Sequence, residues 1–304
     1  MTVKKVVLTD GGMGQELVHR SSAPPSPMWG AQVLMDEPDL VCKLHAEYIR
    51  AGARVITLNA YSVTPERLAL VNAEVQFEKL QRRALDLALT ARDIAGVADV
   101  AIAGCLPPLF GSYQPDTFPG AEVALNTYRR IVEAQSNEVD VFLCETMSSV
   151  KESVASVTAS SESGKPVWLA LSVDDKGNGL LRSGESIASA FAAVESLKPQ
   201  AVLLNCSLPE AVTAAWPGLS GVPCAIGAYA NGFTSVLGLD IGGTVDKLQA
   251  RTDLGPAEYA NYAMDWVGKG AVIVGGCCEI SPAHIQKLSE SLIDNGYRIT
   301  AQLA

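Results

Sequence analysis

The chain carries few positive charges and no hydrophobic run long enough to cross a membrane. Its 23 Lys and Arg residues are outnumbered by 33 Asp and Glu residues, which gives a formal net charge of -10. Lys and Arg do not cluster, so the basic footprint of a nucleic-acid-binding protein is missing. No segment reaches the roughly 18 apolar residues of a membrane span. This composition argues against nucleic-acid and membrane partners and favours small cationic or zwitterionic molecules.

The N-terminus also lacks a secretion signal. Residues 1–12, MTVKKVVLTDGG, contain two lysines and only a strand-length apolar run before Asp10, with no cleavage site. We therefore expect a cytoplasmic protein. In a reducing compartment the seven cysteines are not a disulfide framework. Each is a core residue, a metal ligand or a reactive thiol.

Short β-branched and apolar segments recur along the chain at fairly even intervals. Eight are predicted to be strands: KVVLT (5–9), RVITLN (54–59), DVAIAG (99–104), DVFLCE (140–145), PVWLAL (166–171), AVLLNC (201–206), PCAIGA (223–228) and AVIVGG (271–276). They are nearly all apolar, as expected for parallel strands covered on both faces. About eight segments of helical periodicity lie between them. The pattern predicts an α/β fold, a (β/α)8 TIM barrel that forms a single domain over residues 1–304. A doubly wound sheet is the alternative.

Polar or thiol side chains follow several predicted strands at the end where each strand finishes. In barrels of this kind the catalytic residues lie at the C-terminal ends of the strands. The strand ends carry acidic, amide and thiol groups here, namely Asp10, Asn59, Glu145, Asn205, Cys206, Cys277 and Cys278. In a closed barrel these side chains converge on one opening, and we interpret them as the candidate site.

Three of these residues have the chemistry of a metal site. Thiolates of Cys206, Cys277 and Cys278 can bind Zn²⁺ at about 2.3 Å each and leave the fourth tetrahedral position open, as in catalytic zinc sites. The glycines at 275–276 are expected to let the backbone turn so that two successive side chains face one ion. The alternative is a pair of small buried residues at a tight turn. His284, at the start of the last predicted helix, is a weaker candidate ligand.

A glycine-rich turn follows the first strand. The glycines of TDGGMGQEL, at positions 11, 12 and 14, match neither the G-x-G-x-x-G nor the G-x-x-x-x-G-K-[ST] pattern of nucleotide-binding loops. The N–H groups of such a turn can hold a carboxylate, while Asp10 and Glu145 can bind an ammonium across the opening. Together these groups predict a clamp for an amino acid. Taken singly, each carboxylate has the alternative role of capping a turn or a helix.

Five sequence blocks, in their order and spacing, resemble the zinc-dependent homocysteine S-methyltransferase family over nearly the whole chain. They are TDGGMGQEL, MWGA with DEPDLVCKLHAEYIRAGARVITLNAYS, FLCETMSS, LLNCS and GGCCEISPAHI. The resemblance implies a (β/α)8 barrel whose Zn²⁺ is held by Cys206, Cys277 and Cys278, with the homocysteine sulfur as a further ligand.

The resemblance also implies how homocysteine binds. Its amino group is expected at Asp10 and Glu145, and its carboxylate at the backbone of the glycine turn. Asn205 precedes the first metal cysteine as it does in relatives. The predicted substrate-binding set is Asp10, Gly12, Met13, Gly14, Asn59, Glu145 and Asn205.

Two segments on the side of the methyl donor depart from the family's usual sequence, namely GAYANG (227–232) and LLNCSLPE. Zinc held by thiolates carries net negative charge and attracts a sulfonium or quaternary ammonium donor. Within that class the resemblance implies S-methylmethionine or S-adenosylmethionine as donor and methionine as product. Aromatic side chains are expected to face that cation, namely Trp29, Phe110, Tyr113 and Tyr229. The alternatives are a betaine- or corrinoid-linked methyltransferase of the same family and a non-enzymatic zinc or thiol redox sensor. The sequence does not determine the oligomeric state, and a homo-oligomer is one of the alternatives.

Overall fold

The computed structural model describes residues 4–241 and 247–303. Within these ranges nine strands form one sheet in the order β2-β3-β4-β5-β6-β7-β8-β1-β9, and all of its ladders are parallel. The strands are β1 (Lys5–Leu8), β2 (Val55–Thr57), β3 (Ala101–Leu106), β4 (Val141–Met147), β5 (Val167–Leu171), β6 (Ala201–Asn205), β7 (Ala225–Tyr229), β8 (Ile273–Val274) and β9 (Arg298–Thr300).

The sheet closes into a barrel through β1. One edge of β1 pairs with β8, where Val7 lies opposite Ile273. The other edge meets β2, since Thr9 forms a parallel bridge with Val55 and the Arg54 N–H donates to Leu8 O at 2.8 Å. The predicted (β/α)8 barrel is confirmed, and the doubly wound alternative is wrong.

The ninth strand was not predicted. The segment RIT is only three residues long and contains one apolar residue, so it carries no strand signal of its own. It pairs with the first residues of β1, Lys5 opposite Arg298, on the same edge that β2 meets further along. β9 thus extends the sheet at the N-terminal end of β1, away from the candidate site.

The described residues contain eleven α-helices, and the eight segments predicted to be helical all form. The helices are α1 (Met13–Arg20), α2 (Gly30–Asp36), α3 (Pro38–Arg50), α4 (Pro65–Ala69), α5 (Phe77–Ala95), α6 (Ala121–Gln135), α7 (Val150–Ser161), α8 (Ile187–Val194), α9 (Pro209–Ala215), α10 (Pro256–Gly268) and α11 (Pro282–Asp294). The additional helices α1, α2 and α4 have only five to eight residues each, too few for a clear helical period. All three lie in the connections after β1 and β2, which border the candidate site.

Candidate active site

The alternation of side chains along β4 decides which of its residues reach the barrel interior. Phe142 and Cys144 pack in the cluster between sheet and helices, whereas Leu143 belongs to the smaller cluster inside the barrel. Successive strand residues point to opposite faces. Glu145 therefore shares the inward face of Leu143, and both line a cavity at the C-terminal ends of the strands. Cys144 points outward.

Most of the predicted site residues line this one cavity. It is bounded by Asp10, Gly12, Met13, Gly14, Asn59, Glu145, Cys206, Cys277 and Cys278, together with Thr57, Tyr61 and the aromatic residues Trp29, Tyr113 and Tyr229. Asn205 is not among the residues that line it. Phe110 lines an adjoining cavity instead.

The three predicted metal ligands converge. The Sγ atoms of Cys206, Cys277 and Cys278 lie within 4.8 Å of one another, and the Cys277 thiol donates to Cys206 Sγ at 2.7 Å. Three sulfurs at about 2.3 Å from a tetrahedral ion are about 3.8 Å apart, so this donor set fits a metal ion after movements of about 1 Å. Burial raises the pKa of Cys206, but hydrogen bonds from Cys277 and Cys278 outweigh it and hold that pKa well below its usual range. The Tyr113 hydroxyl lies 3.0 Å from the same sulfur and acts in the same direction.

The glycine pair before the vicinal cysteines is needed for close packing and not for a left-handed turn. A Cβ on Gly275 would overlap the Thr9 hydroxyl, and one on Gly276 would overlap the Ile280 side chain. The turn itself falls on Glu279, whose φ is 65°. The predicted role of these glycines in turning the backbone is therefore wrong, although the two cysteines do reach a common centre.

His284 is occupied elsewhere. Its Nδ1 lies 2.9 Å from Ser281 Oγ and its Nε2 lies 3.2 Å from Leu254 O, so both ring nitrogens are engaged. Together with Ser281 it forms a capping box at the start of α11. The ring holds the helix and does not join the cysteines.

Both predicted clamp carboxylates are buried in the cavity wall. Asp10 Oδ2 accepts the Thr57 N–H at 2.8 Å, while burial and the nearby Glu145 raise the pKa of Asp10 to about 8. Glu145 Oε1 accepts the Cys105 thiol at 2.9 Å, and burial raises the pKa of Glu145 to about 7. No basic side chain forms an ion pair with either carboxylate in residues 4–241 and 247–303.

The glycine turn offers fewer free donors than the sequence suggested. The Gly12 N–H donates to Ile280 O and the Met13 N–H to Gly11 O, each at 2.9 Å. Gly14 is the second residue of α1, and in the described part of the chain its N–H has no hydrogen-bond partner. The face of Trp29 packs against it, 3.1 Å from where a Cβ would stand.

The two asparagines hold backbone at the edge of the site. Asn59 Nδ2 donates to Gly30 O at 3.0 Å and so fixes the start of α2. Asn205 accepts the Thr146 N–H and donates to the Thr146 hydroxyl, both at 3.1 Å. Thr146 directly follows Glu145, so the Asn205 amide fixes the backbone beside that carboxylate.

Left-handed backbone is concentrated around the cavity. Eight non-glycine residues have positive φ in the described ranges, and five of them border the site: Trp29, Tyr113, Thr146, Cys206 and Glu279. The strain matters most at Cys206, where a φ of 45° ends the alternation of β6. Leu203 faces the barrel interior, so regular alternation would turn Cys206 away from it.

Tyrosines at the cavity are backed by arginines. The Arg67 guanidinium stacks on Tyr61 at 5.2 Å and that of Arg182 on Tyr113 at 4.7 Å. Tyr229 differs, because its hydroxyl is buried and has no hydrogen-bond partner among the described residues. Burying a hydroxyl that forms no hydrogen bond costs free energy, so a hydrogen bond from a polar ligand to this hydroxyl would be stabilising.

Sequence reasoning missed Tyr61 and Cys105. Tyr61 follows Asn59 by two residues in the loop after β2, a position that the strand-end rule covers only loosely. Cys105 lies in the hydrophobic core, and its thiol also contacts Glu145. Its place near the end of β3, beside β4, is the signal that pointed to the site.

A barrel that brings three thiols and two buried carboxylates to the C-terminal ends of its strands has the architecture of a barrel enzyme's active site, with a thiol cluster that could hold a metal ion. None of its described helices is long and apolar enough to span a membrane. A family model for homocysteine S-methyltransferases matches residues 7–292, and the chain belongs to that family.

Individual relatives cover almost the whole chain. The homocysteine S-methyltransferase of Escherichia coli (strain K12) is 28% identical over 93% of this chain and 94% of its own length. Homocysteine S-methyltransferase 1 of Brassica oleracea var. italica is 27% identical over 94% and 93%. The crystal structure of the E. coli homocysteine methyltransferase MmuM in its metallated form superposes with a TM-score of 0.78 at 26% identity, covering 95% of this chain and 96% of that one.

Proposed function

We propose that this protein transfers a methyl group from a cationic donor, S-methylmethionine or S-adenosylmethionine, to the sulfur of homocysteine and thereby forms methionine. The observation that carries the proposal is the joint placement of a three-thiol centre and two buried carboxylates in one cavity. A thiol acceptor that is also an α-amino acid needs both. A redox sensor needs only the thiols.

Zinc is the metal that this donor set favours. Three cysteine thiolates with one open tetrahedral position are typical of Zn²⁺ sites, and MmuM, the E. coli relative, has a metallated form. We propose Cys206, Cys277 and Cys278 as the ligands. When bound, zinc would keep the sulfur of homocysteine deprotonated, and a thiolate is the nucleophilic form of a thiol.

The carboxylates are proposed to hold the amino group of homocysteine. An ammonium bound between Asp10 and Glu145 would attract both carboxylates and offset the repulsion between them. Its positive charge would also lower their raised pKa values. The Gly14 N–H, at the positive end of α1, is available for the substrate carboxylate. Gly12 and Met13 shape the turn behind it. This clamp would direct the side chain of homocysteine toward the cysteines.

The remaining predicted site residues are proposed to position and enclose the reacting groups. Asn59 and Asn205 act through the backbone of Gly30 and Thr146. Tyr113 covers the cysteines, with its hydroxyl 3.0 Å from Cys206 Sγ. The rings of Trp29, Tyr61 and Tyr229 present apolar surface that would exclude water and attract the methyl donor's positive charge.

The test is metal analysis of the purified protein followed by a methionine-formation assay. We expect about one zinc per chain and methionine from homocysteine with S-methylmethionine or S-adenosylmethionine. Methionine formation with betaine or a methylcorrinoid, and with neither S-methylmethionine nor S-adenosylmethionine, would mean that the proposed donor is wrong. Stoichiometric zinc without transfer from any donor would contradict the enzymatic proposal and favour a sensor. The cytoplasmic location and the single domain over residues 1–304 remain predictions from the sequence.

A further inference from the structure

A second cavity adjoins the candidate active site on the side where Trp29 lies. Trp29 and Ser62 line both cavities, so the two are neighbours across these side chains. The second cavity also contains Arg67, Ser112 and Asp240. Unlike the site itself, it therefore combines a cationic and an anionic side chain around apolar walls.

Arg67 has no carboxylate counter-ion among the residues that the structure describes. Its Nε and Nη2 donate to Pro108 O at 3.3 and 3.0 Å, and Nη2 also donates to Ser112 Oγ at 3.2 Å. Within residues 4–241 and 247–303, no carboxylate oxygen lies within 4.0 Å of its nitrogens. No bond from Nη1 occurs in those ranges. The charge is thus only partly satisfied, and it borders an open cavity.

Arg182 shows what a purely structural arginine looks like in the same protein. It stacks on Tyr113 just as Arg67 stacks on Tyr61, but its Nη2 lies 3.0 Å from Asp175 Oδ2 and its side chain is only 7% exposed. Its charge is therefore neutralised within the protein. No carboxylate in the described ranges neutralises Arg67 in this way, and an anionic ligand group would do so.

We propose that the second cavity binds the amino-acid end of the methyl donor, with Arg67 holding the donor's α-carboxylate. This inference rests on the proposed function and narrows it to donors that carry a carboxylate. Homocysteine does not need Arg67, because Asp10, Glu145 and the Gly14 N–H already provide for its polar groups.

The arrangement of charge suits such a donor. Its sulfonium would point past Trp29 and Tyr61 toward the cysteines, and its carboxylate would point away from them to Arg67. Asp240, in the wall of the same cavity, has the charge that an α-ammonium requires. A methylcorrinoid offers no α-amino-acid group to this cavity.

The test compares S-methylmethionine with its decarboxylated analogue, (3-aminopropyl)dimethylsulfonium, in the zinc-loaded protein. A charge-assisted hydrogen bond contributes about 1.5–3 kcal/mol, so we expect wild type to prefer S-methylmethionine in kcat/KM by about 10- to 100-fold. Arg67→Met should remove most of this preference, and Arg67→Lys should keep part of it. Damage to the loop that Arg67 supports lowers turnover of both donors alike and cancels in their ratio.

Arg83→Met is the matched control. Arg83 also donates to backbone carbonyls, those of Leu34 and Met35, but it lines neither cavity. Its replacement should leave the donor preference unchanged. An Arg67→Met variant with the wild-type preference would overturn the inference and leave Arg67 with a structural role.

Calorimetric titration of S-methylmethionine into the zinc-loaded protein separates the inference from the proposed function. Binding that weakens about 10- to 100-fold in Arg67→Met, with no transfer to homocysteine in wild type, would support the carboxylate site and refute the methyl transfer. Suppose instead that wild type transfers the methyl group, and that Arg67→Met changes neither the affinity for S-methylmethionine nor the preference for it over the decarboxylated analogue. This result would support the methyl transfer and refute the carboxylate site.

Discussion

Replacing Asp10 by Asn should stabilise the metal-free protein at alkaline pH while it weakens homocysteine binding. The folded protein holds a proton on Asp10 up to a pKa of about 8, whereas the unfolded chain releases it near 3.8. Because the folded state binds more protons between these values, its stability falls as pH rises through that window. At about 1.4 kcal/mol per pKa unit, the contribution lost by pH 9 is up to about 6 kcal/mol. Asn does not titrate, and its Oδ1 can still accept the Thr57 N–H.

The assay is urea unfolding of wild type and Asp10→Asn at pH 5 and pH 9, with a chelator and a reductant present. The stability gained by the variant should be about 4 kcal/mol larger at pH 9 than at pH 5, because pH 5 lies only about one unit above the pKa of the unfolded chain. Titrating groups remote from Asp10 occur in both proteins and cancel in the comparison, whereas the repulsion from Glu145 is removed together with the Asp10 charge and is already contained in the raised pKa of Asp10. A stability difference that is the same at both pH values would refute the reasoning that the buried carboxyl group is costly when charged.

The remaining predictions concern the proposed ligands of zinc and of homocysteine. Cys206→Ser and Cys277→Ser should each lose zinc and methyl transfer, while circular dichroism shows a folded barrel. Cys42→Ser, a substitution in α3 outside the cavity, should keep both zinc and methyl transfer. Stoichiometric zinc with full activity in Cys206→Ser or Cys277→Ser would disprove the ligand assignment. Glu145→Gln should retain zinc but bind homocysteine about tenfold or more weakly in a calorimetric titration, because one charge opposite the ammonium is removed; unchanged affinity would count against the clamp.

The fold could be predicted because its strands are encoded locally. Runs such as VFLC in β4 are apolar on both faces, which only a parallel sheet covered by helices requires. The strand-end rule then placed Glu145 and the cysteines at one opening without knowledge of any distance. It worked for these residues because the barrel brings all C-terminal strand ends together.

The rest of the site depends on conformations that the sequence does not display. No periodicity shows that Cys206 adopts a left-handed backbone, although this turns its thiol to the other two. Asn205 has the residue type of a substrate ligand, but its amide contacts Thr146. Tyr61 and Arg67 come from loop and short-helix residues whose position is set by tertiary contacts, as with the bonds from Arg67 to Pro108.

The left-handed residues around the cavity restrict how this enzyme can be made more heat-resistant. Thr146 is β-branched, so its φ of 61° is especially unfavourable, and glycine would adopt that conformation without strain. The same replacement would delete the hydroxyl that Asn205 holds and leave the backbone next to Glu145 fixed by the N–H bond to Asn205 alone. Selection for thermostability would favour such changes and erode the active site, whereas selection for turnover retains the strain. Engineering for heat resistance should therefore begin at the N-terminal end of the barrel, around β9.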